Sequence, residues 1–161
     1  MLYKSQRIGK NGKPFILYKF RTMVRNADKI GPSSTAGDDP RITKIGRFLR
    51  KWKIDELPQI INIFKRDMNL VGPRPEIPEV INMLNNEERA IILSRRPGIT
   101  DLASLWDFNE EEKLAGEPDP HEAYLEKIWP EKRRLQIEYI KNHSFWLDIK
   151  IIFLTFRKIL F

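Results

Sequence analysis

Two amphipathic stretches meet at Lys53 and Ile54, and their periodicity constrains the fold more than any other feature of the chain. Ile42, Ile45, Phe48, Leu49 and Trp52 share one helical face, with Lys44, Arg47, Arg50, Lys51 and Lys53 around the rest. Leu57, Ile60, Ile61 and Phe64 then follow the i, i+3, i+4, i+7 spacing, opposite Asp55, Gln59, Asn62 and Arg66. The centre of the chain is therefore read as two helices, each with an apolar stripe to cover. Asp55 is placed to cap the second, and Pro58 falls in its first turn, where a missing N–H is tolerated.

Shorter elements surround this centre. Met1 to Ile8 and Pro14 to Phe20 read as strands about a Gly9-Lys10-Asn11-Gly12 turn, with Asn11-Gly12 a strong hairpin signal. Thr22 to Lys29 is expected to form a short helix and Gly31 to Pro40 a loop. Gly72-Pro73-Arg74-Pro75 forces a rigid turn, Pro78 to Leu93 is helical in two pieces, and Arg95-Arg96-Pro97-Gly98 breaks that pattern. Asp119-Pro120-His121-Glu122 has the form of a helix start, and Pro130 is expected to kink or restart the helix. The reading is an α+β fold: a mostly helical single domain over residues 1–161, with a small N-terminal β-hairpin and interfacial amphipathic helices.

Residues 145–161 form an amphipathic C-terminal helix. Phe145, Trp146, Ile149, Ile152, Phe153, Phe156, Ile159 and Leu160 make a broad apolar face. Asp148, Lys150, Thr155, Arg157 and Lys158 lie opposite, with Leu147, Ile151, Leu154 and Phe161 among them. Two readings stay open: a helix lying in a bilayer interface, or one docked on the core. No stretch reaches the roughly 18 apolar residues of a membrane-spanning helix. Met1 to Phe20 lacks the apolar core and small-residue cleavage site of a signal peptide.

With no cysteine among 161 residues, thiolate chemistry and disulfides are excluded. The chain carries a net charge of +7, unevenly spread. Residues 1–75 hold 17 basic and 6 acidic side chains, a net of +11, whereas residues 76–161 are net −4. A front half so positive should seek phosphate on nucleic acid, nucleotides or lipid headgroups.

Adjacent Asp55 and Glu56 at a helix start, after a strongly basic helix, suit a nucleophile and metal site, with the nearby cations keeping both acids ionised; simple capping is the competing reading. Arg74, fixed between two prolines, offers a preset guanidinium fork to a phosphate, or is an ordinary solvated turn residue. Lys19-Phe20-Arg21 ends a strand with two cations. His121 and His143 read as surface or capping residues, Glu110-Glu111-Glu112 as a solvated helix face, and Trp106 and Trp129 as core.

Five motifs then occur in one order: Lys19-Phe20-Arg21-Thr22-Met23, Gly46-Arg47-Phe48-Leu49-Arg50, Asp55-Glu56-Leu57-Pro58-Gln59, Asp67 through Pro75, and Arg96-Pro97-Gly98-Ile99-Thr100. Together they resemble the bacterial sugar transferase family, the monotopic phosphoglycosyl transferases that start glycoconjugate assembly, most closely over residues 5–100. The resemblance implies transfer of a sugar phosphate from a UDP-sugar donor to a polyprenol phosphate acceptor, with release of UMP and a requirement for Mg²⁺. It implies Asp55 as nucleophile and Glu56 as its partner, both near the metal, with Lys19, Arg50 and Arg74 at phosphate-binding positions. It also implies an anionic membrane surface as partner and the cytoplasmic face of the cell membrane as location.

Two departures accompany the resemblance. Family members normally open with a hydrophobic re-entrant membrane helix, and this chain is expected to start where that helix ends, as a truncated form or a short relative. Asp101-Leu102-Ala103-Ser104-Leu105 stands where the family commonly has a Gly-Trp-Ala-Gln-type sequence. The competing classes are a basic nucleic-acid-binding module and a catalytically inactive membrane-associated relative. No nucleic-acid motif is recognisable, so no nucleic-acid partner is expected.

Overall fold

Asn11 and Gly12 both take positive φ, 58° and 75°, and this tight left-handed turn brings β1 (Leu2–Ile8) back on β2 (Pro14–Phe20). The strands pair antiparallel from Leu2 opposite Phe20 to Ile8 opposite Pro14. The computed structural model describes residues 1–31 and 34–161. The helix expected from Thr22 to Lys29 shortens to α1 (Ala27–Ile30), because Met23 pairs with Ile42 in an isolated bridge and Asn26 is left-handed. Of the loop expected from Gly31 to Pro40, Pro32 and Ser33 lie outside the described residues, and the rest holds turns and bends.

The first amphipathic segment becomes α2 (Lys44–Lys51), capped by Thr43, whose Oγ1 accepts from the Gly46 N–H at 2.9 Å. Gly46 is required by contact: a Cβ there would lie 1.9 Å from the Thr22 carbonyl oxygen. That approach seats α2 directly on the end of β2. Ile42 leaves the expected face and is buried, while Ile45 is 74% exposed and Phe48 and Trp52 also face outward. Lys53, at φ 53°, ends α2 and turns the chain into a 3-10 segment, Ile54–Gln59, followed by α3 (Ile60–Phe64). Buried Asn62 ties α3 to β2 by donating to the Ile16 carbonyl at 2.7 Å and accepting from the Tyr18 N–H at 3.2 Å. With the polar side inward, Leu57, Ile60 and Phe64 are left outside.

After a left-handed Arg66 comes β3 (Asn69–Val71), then α4 (Pro78–Asn82), α5 (Asn86–Ile92) and β4 (Gly98–Thr100). β3 and β4 pair in parallel, Asn69 with Gly98 and Val71 with Thr100. A Cβ on Gly98 would sit 2.1 Å from the Gly72 nitrogen, so this glycine lets the Pro-Arg-Pro turn begin against β4. Next come α6 (Leu102–Trp106), capped by Asp101, then α7 (Glu110–Lys113) and α8 (Pro120–Ala123), capped by Asp119 as expected. A π-helical turn, Tyr124–Ile128, leads into α9 (Trp129–Lys141), which restarts with Pro130 in its first turn.

Val80, Ile81, Leu84, Tyr124, Ile128 and Trp129 belong to the main core. Trp106 departs from expectation: it is exposed, and the Lys113 ammonium lies 4.1 Å from its ring centre. The last helix, α10 (Phe145–Leu160), is docked on the core along one face and leaves the other uncovered. Ile151 is fully buried with Val71, Leu105 and Tyr139, Thr155 meets Thr100 at 2.7 Å, and Lys158 donates to the Leu105 carbonyl at 2.6 Å. Trp146, Phe153, Phe156 and Leu160 remain exposed. No helix among the described residues is long and apolar enough to cross a membrane.

Candidate active site

Four segments converge on the Asp55-Glu56 pair: the end of β2 with Lys19, the C-terminus of α2 with Arg50, the 3-10 segment itself, and the Pro73-Arg74-Pro75 turn. Glu56 is the electrostatic centre. Its Oε1 accepts from Lys19 Nζ at 2.8 Å and from the Arg74 guanidinium at 2.5 Å, and Oε2 lies 3.4 Å from the other Arg74 nitrogen. Burial alone pushes the Glu56 carboxyl upward, but the charges and hydrogen bonds of Arg74 and Lys19 outweigh it and hold the group well below the usual carboxylate range.

Asp55 has the opposite character. It is 7% exposed, and its carboxylate makes no hydrogen bond or ion pair with any described residue. It does not cap the following helix. Burial pushes its pKa above the ordinary aspartate value, with Lys19, Arg50 and Lys53 pulling the other way and Glu56 adding to the rise. The two acids therefore differ: Lys19 and Arg74 are bonded to Glu56, while burial is the largest influence on Asp55. A carboxylate that is near cations yet bonded to none keeps its lone pairs available for attack.

Arg50 acts on Asp55 by its charge, and its hydrogen bonds go elsewhere. Its Nε donates to Thr22 Oγ1 at 2.8 Å, and one terminal nitrogen donates to Glu111 Oε1 at 2.6 Å. The reading of Glu110-Glu111-Glu112 as a solvated face is overturned for two of its three members. Glu111 orients Arg50, and Glu110 receives the ammonium of buried Lys132 at 2.5 Å. Only Glu112 is peripheral, bonded to exposed Asn109. α7 is short enough that successive residues, about 100° apart, point to different neighbours. No spacing signal in the sequence separates the three.

Lys53, read from the sequence only as part of a basic helical face, also belongs to this surround. Its backbone is left-handed, its ammonium lies 4.9 Å from the ring centre of Phe108, and both acids of the dyad act on its charge. Burial and Arg74 lower its pKa, while Glu56, Glu111 and Asp55 pull it back up. A positive φ on a non-glycine residue beside a buried carboxylate pair is the kind of strain that clusters at functional sites. His121 and His143 stay outside the site, beside Ser34 and Asp148 respectively.

The donor set suits magnesium in one respect. No group of three or more possible ligands occurs among the described residues. Magnesium is commonly held by only one or two carboxylates, with substrate phosphates and water completing its shell. Both Asp55 oxygens are uncommitted, and Glu56 Oε2 carries only the long contact from Arg74.

Over residues 1–161 the chain matches the family described as Bacterial sugar transferase. It is 40% identical over 160 residues to the uncharacterized sugar transferase EpsL of Bacillus subtilis (strain 168), covering 99% of this chain and 70% of that protein. Identity is 38% over 167 residues to the UDP-glucose:undecaprenyl-phosphate glucose-1-phosphate transferase of Escherichia coli (strain K12), covering 98% of this chain and 32% of that protein. It is 35% over 165 residues to the UDP-N-acetylgalactosamine-undecaprenyl-phosphate N-acetylgalactosaminephosphotransferase of Aeromonas hydrophila, covering 99% of this chain and 35% of that one. The chain therefore spans about a third of the length of these two longer relatives. Because the family match extends over the hairpin, the Asp55-Glu56 pair, the Pro-Arg-Pro turn and α10 alike, the chain belongs to the bacterial sugar transferase family.

Proposed function

We propose that this chain transfers a sugar 1-phosphate from a UDP-sugar to a polyprenol phosphate on the cytoplasmic face of the membrane, through a phosphosugar bound covalently to Asp55. The observation that carries this reading is the division of labour in the dyad: Glu56 is tied to two cations, and Asp55 is buried, adjacent and bonded to no described residue. The names of the Escherichia and Aeromonas relatives support the donor and acceptor classes. The exposed apolar faces of α2, α3 and α10 support work at a lipid interface.

In the first half-reaction an Asp55 oxygen attacks the phosphorus that bears the sugar. The bond from that phosphorus to the UMP oxygen breaks, and UMP leaves with the electron pair. In the second, an oxygen of the polyprenol phosphate attacks the same phosphorus, and the Asp55 carboxylate departs. No net proton transfer is needed in either step. Splitting the reaction keeps two polyanions from having to meet at once, which lowers the repulsion each step must overcome. Asp55 and Glu56 Oε2 would hold Mg²⁺, which when bound neutralises phosphate charge. Lys19 and Arg74 fix the Glu56 rotamer, and Arg50, steadied by Glu111 and Thr22, adds positive potential toward Asp55.

The test is to incubate the protein with a radiolabelled UDP-sugar and Mg²⁺ without acceptor. Label should appear on the protein with an equivalent of UMP, and Asp55→Asn should give neither. UMP release that depends wholly on polyprenol phosphate, with no label trapped, would sink the covalent step.

A further inference from the structure

The other cations that act on the dyad are already engaged with described residues. Lys19 and Arg74 are paired with Glu56, and Arg50 with Glu111. The Lys53 ammonium makes no hydrogen bond or ion pair with a described residue, and rests against the face of Phe108. An ammonium held by a ring alone keeps its three donors for an incoming anion.

Its position narrows what that anion is. Trp52 precedes Lys53 and Leu57 follows Glu56, and both are exposed. They continue the outward apolar stripes of Ile45 and Phe48 on α2 and of Ile60 and Phe64 on α3, where Phe64 is 82% exposed. Lys53 thus stands at the border between an uncovered apolar surface and a carboxylate pair. A ligand that is apolar along its length and anionic at one end matches both halves of that border. A nucleotide sugar, polar throughout, matches only one.

We infer that Lys53 receives the phosphate of the lipid acceptor, a phosphate monoester on a long hydrocarbon chain whose apolar part lies along α2 and α3. This rests on the transferase reading and deepens it by separating an acceptor cation from the cations committed to Glu56. Lys53, left-handed in its backbone, lies over Phe108 and close enough to Asp55 for their charges to interact, where the acceptor oxygen must approach phosphorus. Phe108 itself stands between Lys53 and Lys158 of α10, at 4.9 and 5.8 Å, so a second cation from the docked C-terminal helix borders the same platform.

The inference is tested by binding, independent of turnover. Affinity for a short polyprenyl phosphate is measured in detergent for the wild type, Lys53→Met, Lys53→Arg and Lys51→Met. Methionine keeps the stem over Phe108 and the same backbone penalty but removes the charge. Loss of one charge-assisted contact predicts roughly ten-fold weaker binding for Lys53→Met. Lys53→Arg and the exposed Lys51→Met should stay near wild type, and the matching polyprenol without phosphate should bind wild type and Lys53→Met alike. Equal affinity of wild type and Lys53→Met for the lipid phosphate overturns the inference. So does an equal loss in Lys51→Met, which would mean general surface charge. An equal loss of UDP binding in Lys53→Met would assign the lysine to phosphates at large, and inorganic phosphate binding as tightly as the lipid would remove the apolar surface from the site. A wild type that binds the lipid phosphate through Lys53 but releases no UMP from UDP-sugars would defeat the transferase reading while leaving the Lys53 site standing.

Discussion

Arg74 reaches both oxygens of Glu56, at 2.5 and 3.4 Å, so the guanidinium between two prolines orients a carboxylate of the dyad itself. The pair is mostly buried; Lys19 also bonds Glu56, and Arg74 also donates to the Ile99 carbonyl at 3.5 Å. Arg74 therefore governs both the geometry of the dyad and the stability of its charge.

Arg74→Lys should lose most activity although the charge is kept. A lysine cannot span two carboxylate oxygens, so Glu56 becomes free to rotate beside Asp55. We expect kcat/KM for UMP release to fall about a hundred-fold, in line with a misplacement of roughly 1 Å at a reacting centre. Arg74→Ala should also reduce stability by about 2–3 kcal/mol in urea denaturation, somewhat less than the ~3–5 kcal/mol of a fully buried broken pair. Near-normal turnover by Arg74→Lys would show that Glu56 is oriented without the fork.

Glu111 and Glu112 are neighbours with opposite expectations. Glu111→Ala releases Arg50, which retains only Thr22 as a bonded partner, and UMP release should fall roughly ten-fold. Glu112→Ala removes one exposed contact to Asn109 and should stay within about two-fold of wild type. Glu111→Gln, which can still accept a hydrogen bond, should recover part of the loss with an unchanged thermal midpoint. Equal rates for all three variants would return Glu111 to the solvated surface.

The hairpin, the split helix over Pro78 to Leu93, the Asp119 cap and the Pro130 restart are legible in the sequence because each rests on local chemistry: φ preference, capping oxygens and missing N–H groups. The dyad is legible only through motif order, since two acids at a helix start are equally well read as a cap. Contacts across distant segments are not legible at all. Nothing local tells that Gly46 abuts Thr22, or that Glu111 finds Arg50 61 residues earlier. Periodicity identifies most of the apolar stripe around α2 and α3, Ile42 excepted, yet it carries no sign for whether a stripe faces core or outside. Asn62 decides that for α3 by bonding the edge of β2.

α10 divides into a docked and an uncovered face, and substitutions should separate them. Trp146→Ser, Phe153→Ser and Phe156→Ser together remove exposed aromatics, so sedimentation with anionic vesicles should drop sharply while the thermal midpoint barely moves. Ile151→Ser places a hydroxyl in a fully buried apolar contact and should destabilise the fold by at least ~3 kcal/mol. Vesicle binding unaffected by the triple substitution would assign membrane contact to α2 and α3 alone.

Glu76 supplies a pH dependence with a definite sign. It is buried at the start of the segment after the Pro-Arg-Pro turn, and the Gln136 amide approaches its Oε1 at 3.4 Å. Burial pushes its carboxyl above the ordinary glutamate value; Lys132 pulls it down, Glu110 pushes it further up, and Arg74 and Arg7 pull it down again, without cancelling the rise. The folded protein therefore holds this proton more tightly than the unfolded chain. The contribution to stability is fully present below the unfolded value of about 4.5 and is lost as pH rises through the higher folded value. Glu76→Gln removes the titration and keeps the shape and the capacity to bond Gln136. Measured by urea midpoints from pH 4 to pH 7, the variant should gain on the wild type as pH rises, and the gain should level off once the folded carboxyl is ionised. A difference that grows toward acid would mean that Lys132, Arg74 and Arg7 stabilise the Glu76 anion more than burial disfavours it, and a flat difference that the two effects cancel.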